Sequence, residues 1–341
     1  MAERDDRNAW ARIAQRVRDA GGRVENLRLG QGSRGRGLFV EDRAAPAAIA
    51  LPAPLLIPVE AVELCDATLR IKADAEVTPE ARALFDDYYA SLGFSQPLSR
   101  DARRAISGLH QLPGPLQDMT LKGNRKGLER FPPFDDSALL AWFFDTRAIE
   151  IEGQRKLMPL VELTNHEASA AGFNTQNGGV EIAGRFRDEV LVRYHLSDPW
   201  GIYLRWGFVA PSDRLYSLGV EVREPGRWQI KVVPEMRQVT GSQDTQIRAE
   251  GRVLTIDRLL LKAPTGVEAA RKLFRTQVAG YGVADPDELF SLIVKINKDW
   301  FNRILSLSKG GTGNAGLKTV RAAARGDADR TDLGRRVRTD A

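Results

Sequence analysis

One cysteine and three histidines are all the thiol and imidazole ligands that a chain of 341 residues contains. With Cys65 alone, no internal disulfide and no thiolate zinc cluster can form. His110, His166 and His195 lie far apart in sequence, so a histidine-rich metal site is not expected and no metal is assigned. Cys65 sits in an apolar run with Val62 and Leu64 and reads as a small buried hydrophobe. Long apolar runs are missing too: no stretch approaches the ~18 residues that a membrane span requires. The first residues, Met-Ala-Glu-Arg-Asp-Asp, are charged with no apolar run behind them, unlike a secretory signal. A cytoplasmic protein with no membrane role is therefore the expectation.

What is present is ordinary in amount. A hydrophobic fraction of 43% supports a sizeable core, and the length suits two modest domains or one with a large insertion. The net charge is +5. Much of that excess sits after Ser308, where Lys309, Lys318, Arg321, Arg325, Arg330, Arg335, Arg336 and Arg338 outweigh four aspartates. The remainder is close to neutral, which permits an acidic partner without demanding one, and nucleic acid is not expected.

Residues 7–20 carry Trp10, Ile13 and Val17 at helical spacing, ended by Gly21-Gly22. Strand-like pieces follow at Val24–Leu29, Gly37–Glu41 and Ala47–Pro52, and Leu55 to Ile71 is apolar and β-rich. Thr78-Pro79-Glu80 then predicts a helix start, with further helical runs at Arg103–His110 and Ser137–Phe144. Residues 156–210 return to short strands and turns, including Val180–Ala183 after the turn signal Asn177-Gly178-Gly179. Strands are expected at Gln229–Val233 and Val253–Leu261, and helices at Val267–Val278 and Asp285–Leu305. Beyond Ser308 the glycine-rich, Arg/Asp/Ala-rich composition predicts disorder.

Four segments carry the chemistry. They are Gly35-Arg36-Gly37-Leu38, Asp145-Thr146-Arg147, Pro159-Leu160-Val161-Glu162-Leu163-Thr164-Asn165-His166, and Asp188-Glu189 through Tyr194 with Trp206-Gly207-Phe208-Val209. Singly, each has an ordinary explanation: a tightening glycine turn, a surface arginine, a satisfied histidine, a core tyrosine. In this order and spacing they resemble the SET-domain methyltransferases, in the branch of the Rubisco large-subunit lysine and actin-histidine methyltransferases. The resemblance covers about residues 1–215.

It implies an α+β SET domain of small antiparallel sheets with pseudoknot-like threading and a helical insertion at about 78–145. A mixed, mainly helical, substrate-binding-like region would span 216–306, with a disordered basic tail at 307–341. It further implies S-adenosylmethionine held by Gly35, Arg36, Gly37, Leu38, Arg147, Asn165 and His166. Arg147 would pair with the cofactor carboxylate as a planar fork, and Tyr194 would be catalytic. Glu162, Tyr194, Trp206 and Phe208 would line the substrate channel. The expected activity is N-methylation of a lysine of a protein substrate by a monomer. A histidine acceptor, or an inactive SET-like interaction module, are the alternatives. The sequence departs from the family pattern at Glu162 (aspartate in the family), His195 (glycine), Trp206 (tyrosine) and Arg187 (glycine).

Overall fold

The computed structural model describes residues 2–65, 68–92, 136–194, 198–206, 208–223, 228–234, 245–308 and 321–325. The expected helix at 103–110, His110, His195, Gly207 and most of the basic tail lie outside them. The described residues up to Tyr194 form one compact unit and those from Asp198 onward another. The class is α+β.

The first unit runs α1 (Ala2–Asp19), β1 (Arg23–Glu25), β2 (Leu27–Gly32), β3 (Gly35–Val40), β4 (Ala47–Leu51), β5 (Ile57–Pro58), β6 (Val62–Cys65) and β7 (Thr68–Ile71). After α2 (Pro79–Ser91) and α3 (Asp136–Arg147) come β8 (Ala148–Ile151), β9 (Gln154–Leu157), β10 (Asn165–His166), β11 (Val180–Gly184) and β12 (Leu191–Val192). Helix α1 buries Trp10, Ile13, Ala14 and Val17 as one stripe, and the Trp10 indole donates to the Leu27 carbonyl at 3.2 Å. Its end is closed by Gly21 at φ 82°, the left-handed conformation that glycine adopts without Cβ strain. Helix α2 starts where the sequence places it: the Thr78 hydroxyl accepts from the Ala81 N–H at 3.1 Å, with Pro79 in the first turn. Asp87 on α2 takes Arg12 at 2.6 Å and Arg16 at 2.9 Å from α1, fastening the two helices.

The sheets are small, as expected. Strands β1, β4 and β11 form one, β5, β9 and β8 another, and β2–β3 and β6–β7 are hairpin pairs, all antiparallel. The two-residue pair β10–β12 is parallel. Cys65, expected to be buried, is only partly covered at the end of β6.

The second unit contains α4 (Pro199–Trp206), β13 (Leu215–Tyr216), β14 (Val220–Arg223), β15 (Gln229–Val233), β16 (Gln246–Glu250), β17 (Val253–Asp257), β18 (Leu260–Lys262), α5 (Val267–Val278) and α6 (Pro286–Leu307). A sheet in the order β14-β15-β17-β16, with β15 and β17 parallel, buries Ile230, Val232, Leu254 and Ile256 with Phe274, Phe290 and Phe301. This region is mixed, as expected, but it is organised around a sheet.

Three expectations are corrected here. The boundary drawn at 215 moves back to about 195, because Trp200 packs on Phe301 and Leu215 pairs with Lys262 in the second core. Leu204–Trp206 end a helix instead of a strand. Asp198 accepts from Gly201 N–H at 2.7 Å with Pro199 at the first turn, a start signal present in the sequence. Residues 321–325, within the tail expected to be disordered, are helical and bury Ala323 and Ala324 completely in the second core. The alanines there supply the apolar surface that the tail's average composition conceals.

Candidate functional site

Gly35–Leu38 was expected as a turn and is a strand. The turn is at Ser33–Arg34, and Gly35 at φ 95° leads out of it into β3. Along β3 the four expected residues part company. Leu38 is wholly buried in the core, and the Arg36 guanidinium reaches away to the Leu92 carbonyl at the end of α2. Gly37 faces the site. A Cβ there would lie 2.7 Å from Asn165 Nδ2 and 2.9 Å from Glu189 Oε1, so only glycine lets β3 approach this closely.

Asn165 uses that space. Its amide donates to Glu189 Oε1 at 2.7 Å and to the Arg36 carbonyl at 3.2 Å, tying β10 to β3. Glu189 in turn bridges to Phe39 on β3, and the Val190 N–H donates to the Leu38 carbonyl at 2.8 Å. His166 follows on β10, which pairs with β12, and its Nδ1 accepts from the Tyr194 N–H at 3.2 Å. An acceptor Nδ1 is unprotonated, and burial lowers the His166 pKa, which favours the same neutral ring.

Tyr194 lies just beyond β12. Its hydroxyl donates to the Thr164 carbonyl at 2.5 Å, while its ring stacks on Phe173 and tilts against His166. Burial pushes this hydroxyl up to about 12, so it stays protonated at any physiological pH.

The segment leading into Thr164 is strained. Leu160 has φ 65° and ψ −45°, and the Val161 N–H donates back to the Pro159 carbonyl at 2.9 Å. That is the rare positive-φ γ-turn, an unfavourable conformation for a branched residue. Two residues on, Glu162 is buried. Its carboxylate accepts from Tyr88 at 3.0 Å and Tyr89 at 3.2 Å, both from α2. Burial pushes the Glu162 carboxyl up to about 7; the positive field of Arg147, the two hydroxyls and Arg36 pull the other way. Glu162 is thus enclosed by tyrosines. Arg147, at the end of α3, acts electrostatically on Glu162 and Tyr194 alike.

Beside these residues the unit carries a cleft of about 830 Å³, whose lining includes Arg34, Phe39, Glu167, Phe186, Glu189 and Leu191. Arg34 at the hairpin tip pairs with Glu167 at 2.7 Å and more loosely with Glu189 at 3.5 Å. None of the residues expected to hold the cofactor lines the cleft, but Arg34 and Glu167 are the immediate neighbours of Gly35 and His166.

The first unit therefore brings Gly37, Arg147, Glu162, Asn165, His166 and Tyr194 into one neighbourhood. Trp206 and Phe208 belong to the second unit. The sequence reading missed Tyr88, Tyr89, Arg34, Glu167 and Glu189 as site residues. The paired tyrosines carried a signal, since two adjacent aromatic hydroxyls on a helix that buries one face need a buried acceptor. Among the described residues no group of three or more His, Cys, Asp or Glu side chains could hold a metal ion. Nor is any described helix long and apolar enough to cross a membrane.

No family model matches the chain, and no curated protein matches it. Among solved structures it is similar to the SET domain of LSMT bound to lysine and AdoHcy, at 13% identity and a TM-score of 0.45. It is also similar to Rubisco LSMT bound to AdoMet, at 11% identity and a TM-score of 0.43. Each alignment covers 95% of this chain and 89% of the other. At such low identity and TM-score, the functional reading stands on the chain's own residues.

Proposed function

We propose that the chain is an S-adenosylmethionine-dependent protein methyltransferase of the SET type, acting on a lysine side chain. One observation carries this reading: segments far apart in sequence converge. Gly37 on β3, Asn165–His166 on β10 and Tyr194 after β12 meet through direct hydrogen bonds and a glycine-only approach, beside an open cleft.

The cleft's residues fit the cofactor. A flat heterocycle suits Phe39 and Phe186, a carboxylate suits the Arg34 fork, and a cationic amino-acid end suits Glu167 and Glu189. When bound, S-adenosylmethionine supplies an electrophilic methyl group. The chain's own part is to present a neutral amine and keep water away. The Tyr194 hydroxyl donates its hydrogen bond to the Thr164 carbonyl, so its oxygen lone pairs remain to accept an N–H from the incoming amine and aim the nitrogen. The Phe173 and His166 rings beside it form a low-dielectric wall, which favours the uncharged form of a lysine amine.

The test is transfer of a labelled methyl group from S-adenosylmethionine to peptide pools presenting lysine or histidine. The reading expects label on lysine, with turnover in Tyr194→Phe reduced by roughly a hundredfold or more, the scale of a positioned polar group in a transition state. Label on histidine alone would move the acceptor. No label on any pool, together with no cofactor binding, would end the reading.

A further inference from the structure

Glu162 is the buried acid that the proposed chemistry does not use, and its surroundings assign it a task. Its carboxylate is held at one oxygen by Tyr88 and at the other by Tyr89, a clasp between α2 and the segment that carries the site. That segment is tightly wound. Glu162 N–H donates to the Met158 carbonyl, Leu163 N–H to Leu160, and both Thr164 N–H and its hydroxyl to Val161. It begins at the strained Leu160 and ends with the Thr164 carbonyl on which the Tyr194 hydroxyl rests. A strained conformation persists only where its surroundings over-determine it, and the clasp is the side-chain anchor two residues from that strain.

We propose that Glu162, gripped by Tyr88 and Tyr89, is a positioning residue: it fixes the Leu160–His166 segment to α2 and so sets where the Tyr194 hydroxyl sits. This rests on the reading of Tyr194 as the group that orients the acceptor. The groups acting on Glu162 are Tyr88 and Tyr89 from α2, Arg36 from β3, Arg147 from the end of α3, and Tyr194. The charged carboxylate accepts both hydroxyls. Once protonated, the carboxyl carries a donor of its own and its hydroxyl oxygen becomes a poorer acceptor, so the clasp is tightest in the ionised form.

The experiment uses the full chain labelled with ¹³C at glutamate carboxyl carbons, the Glu162 signal being the one lost in Glu162→Gln. Its midpoint is expected at about 7. In Tyr88→Phe and Tyr89→Phe, changes that leave no large cavity, it should move upward, because each hydroxyl stabilises the charged form. Amide exchange over 160–166 should quicken in the same variants. The rising limb of turnover against pH should track the same midpoint and vanish in Glu162→Gln. Turnover at pH 7.5 should fall about tenfold in either phenylalanine variant, the worth of one hydrogen bond to a charged acceptor. A midpoint and exchange unmoved by both phenylalanine variants would overturn the proposal. Methyl transfer that is normal in all variants sinks this proposal alone, whereas absence of transfer in every form, wild type included, sinks the methyltransferase reading with it.

Discussion

The two units bury polar groups in opposite ways. In the second, Asp198 accepts from the Gly201 and Tyr216 N–H groups, and Asn297 joins the Leu218 N–H, the Ser217 hydroxyl and the Ile293 carbonyl. Four of those five partners are backbone groups, so the side chains stitch loops to helices. In the first, Glu162 meets two tyrosine hydroxyls, Asn165 meets Glu189, and the nearby backbone is strained at Leu160. Side chains there bind side chains as well as backbone, and protonation is shifted at Glu162 and His166. Buried polarity that holds backbone serves the fold. Buried polarity that holds other titratable groups is poised to respond to protons and ligands.

Asn297→Ala should be the largest single loss, about 3–4 kcal/mol by denaturant unfolding, since it orphans a buried N–H and leaves a gap. That loss should be the same at pH 5 and pH 8, and a pronounced pH dependence would erase the contrast between the units. Glu162 should behave oppositely. Folding raises its carboxyl from 4.5 to about 7, so the stability contributed by proton uptake is full below pH 4.5 and lost as pH rises through about 7. Wild type should lose on the order of 3 kcal/mol across that interval, from 1.36 kcal/mol per pKa unit. Glu162→Gln should flatten the slope; an unchanged slope would assign it elsewhere. The site would then be best ordered where the fold is less stable, a trade expected at functional positions.

Gly37→Ala sharpens the comparison from the site's side. The added methyl meets Asn165 and Glu189, and the variant should fold while losing tenfold or more in S-adenosylmethionine affinity, roughly 1.4 kcal/mol. Thr78→Ala gives the smallest effect, about 1 kcal/mol from one helix cap and independent of pH, because its hydroxyl bonds backbone groups alone, accepting from the Ala81 N–H and donating to the Pro54 carbonyl. A larger or pH-dependent loss would mean that α2 transmits the state of Glu162 to its own start.

How much of this was readable from sequence follows from where each signal resides. Local signals survived: the Trp10-Ile13-Val17 stripe, the Thr78-Pro79 cap and the strand at Gln229–Val233 stand as read, and the strand read at Ala47–Pro52 runs Ala47–Leu51. The site was readable in part. His166 and Tyr194 share a hydrogen bond, with Asn165 next to His166 in the chain, yet Arg36 leaves for the Leu92 carbonyl and Glu162 for two tyrosines 74 and 73 residues upstream. Such partners are set by long-range packing, which periodicity and spacing do not encode. The Pro199–Trp206 helix was missed because an apolar run of that length reads equally as strand, although Asp198-Pro199 carried the start signal. Arg34 and Glu167 were passed over because charged loop residues ordinarily face water, and only the fold shows that they border a cleft.

The central claim is that the cleft bordering the first unit's convergent residues holds S-adenosylmethionine. Calorimetric titration of the full chain, beside Gly37→Ala and Asn165→Ala, tests it most directly. The account predicts one saturable site in the wild type, weakened tenfold or more in both variants while their unfolding transitions stay cooperative. Absence of binding by the folded wild type, or equal affinity in all three proteins, would contradict it.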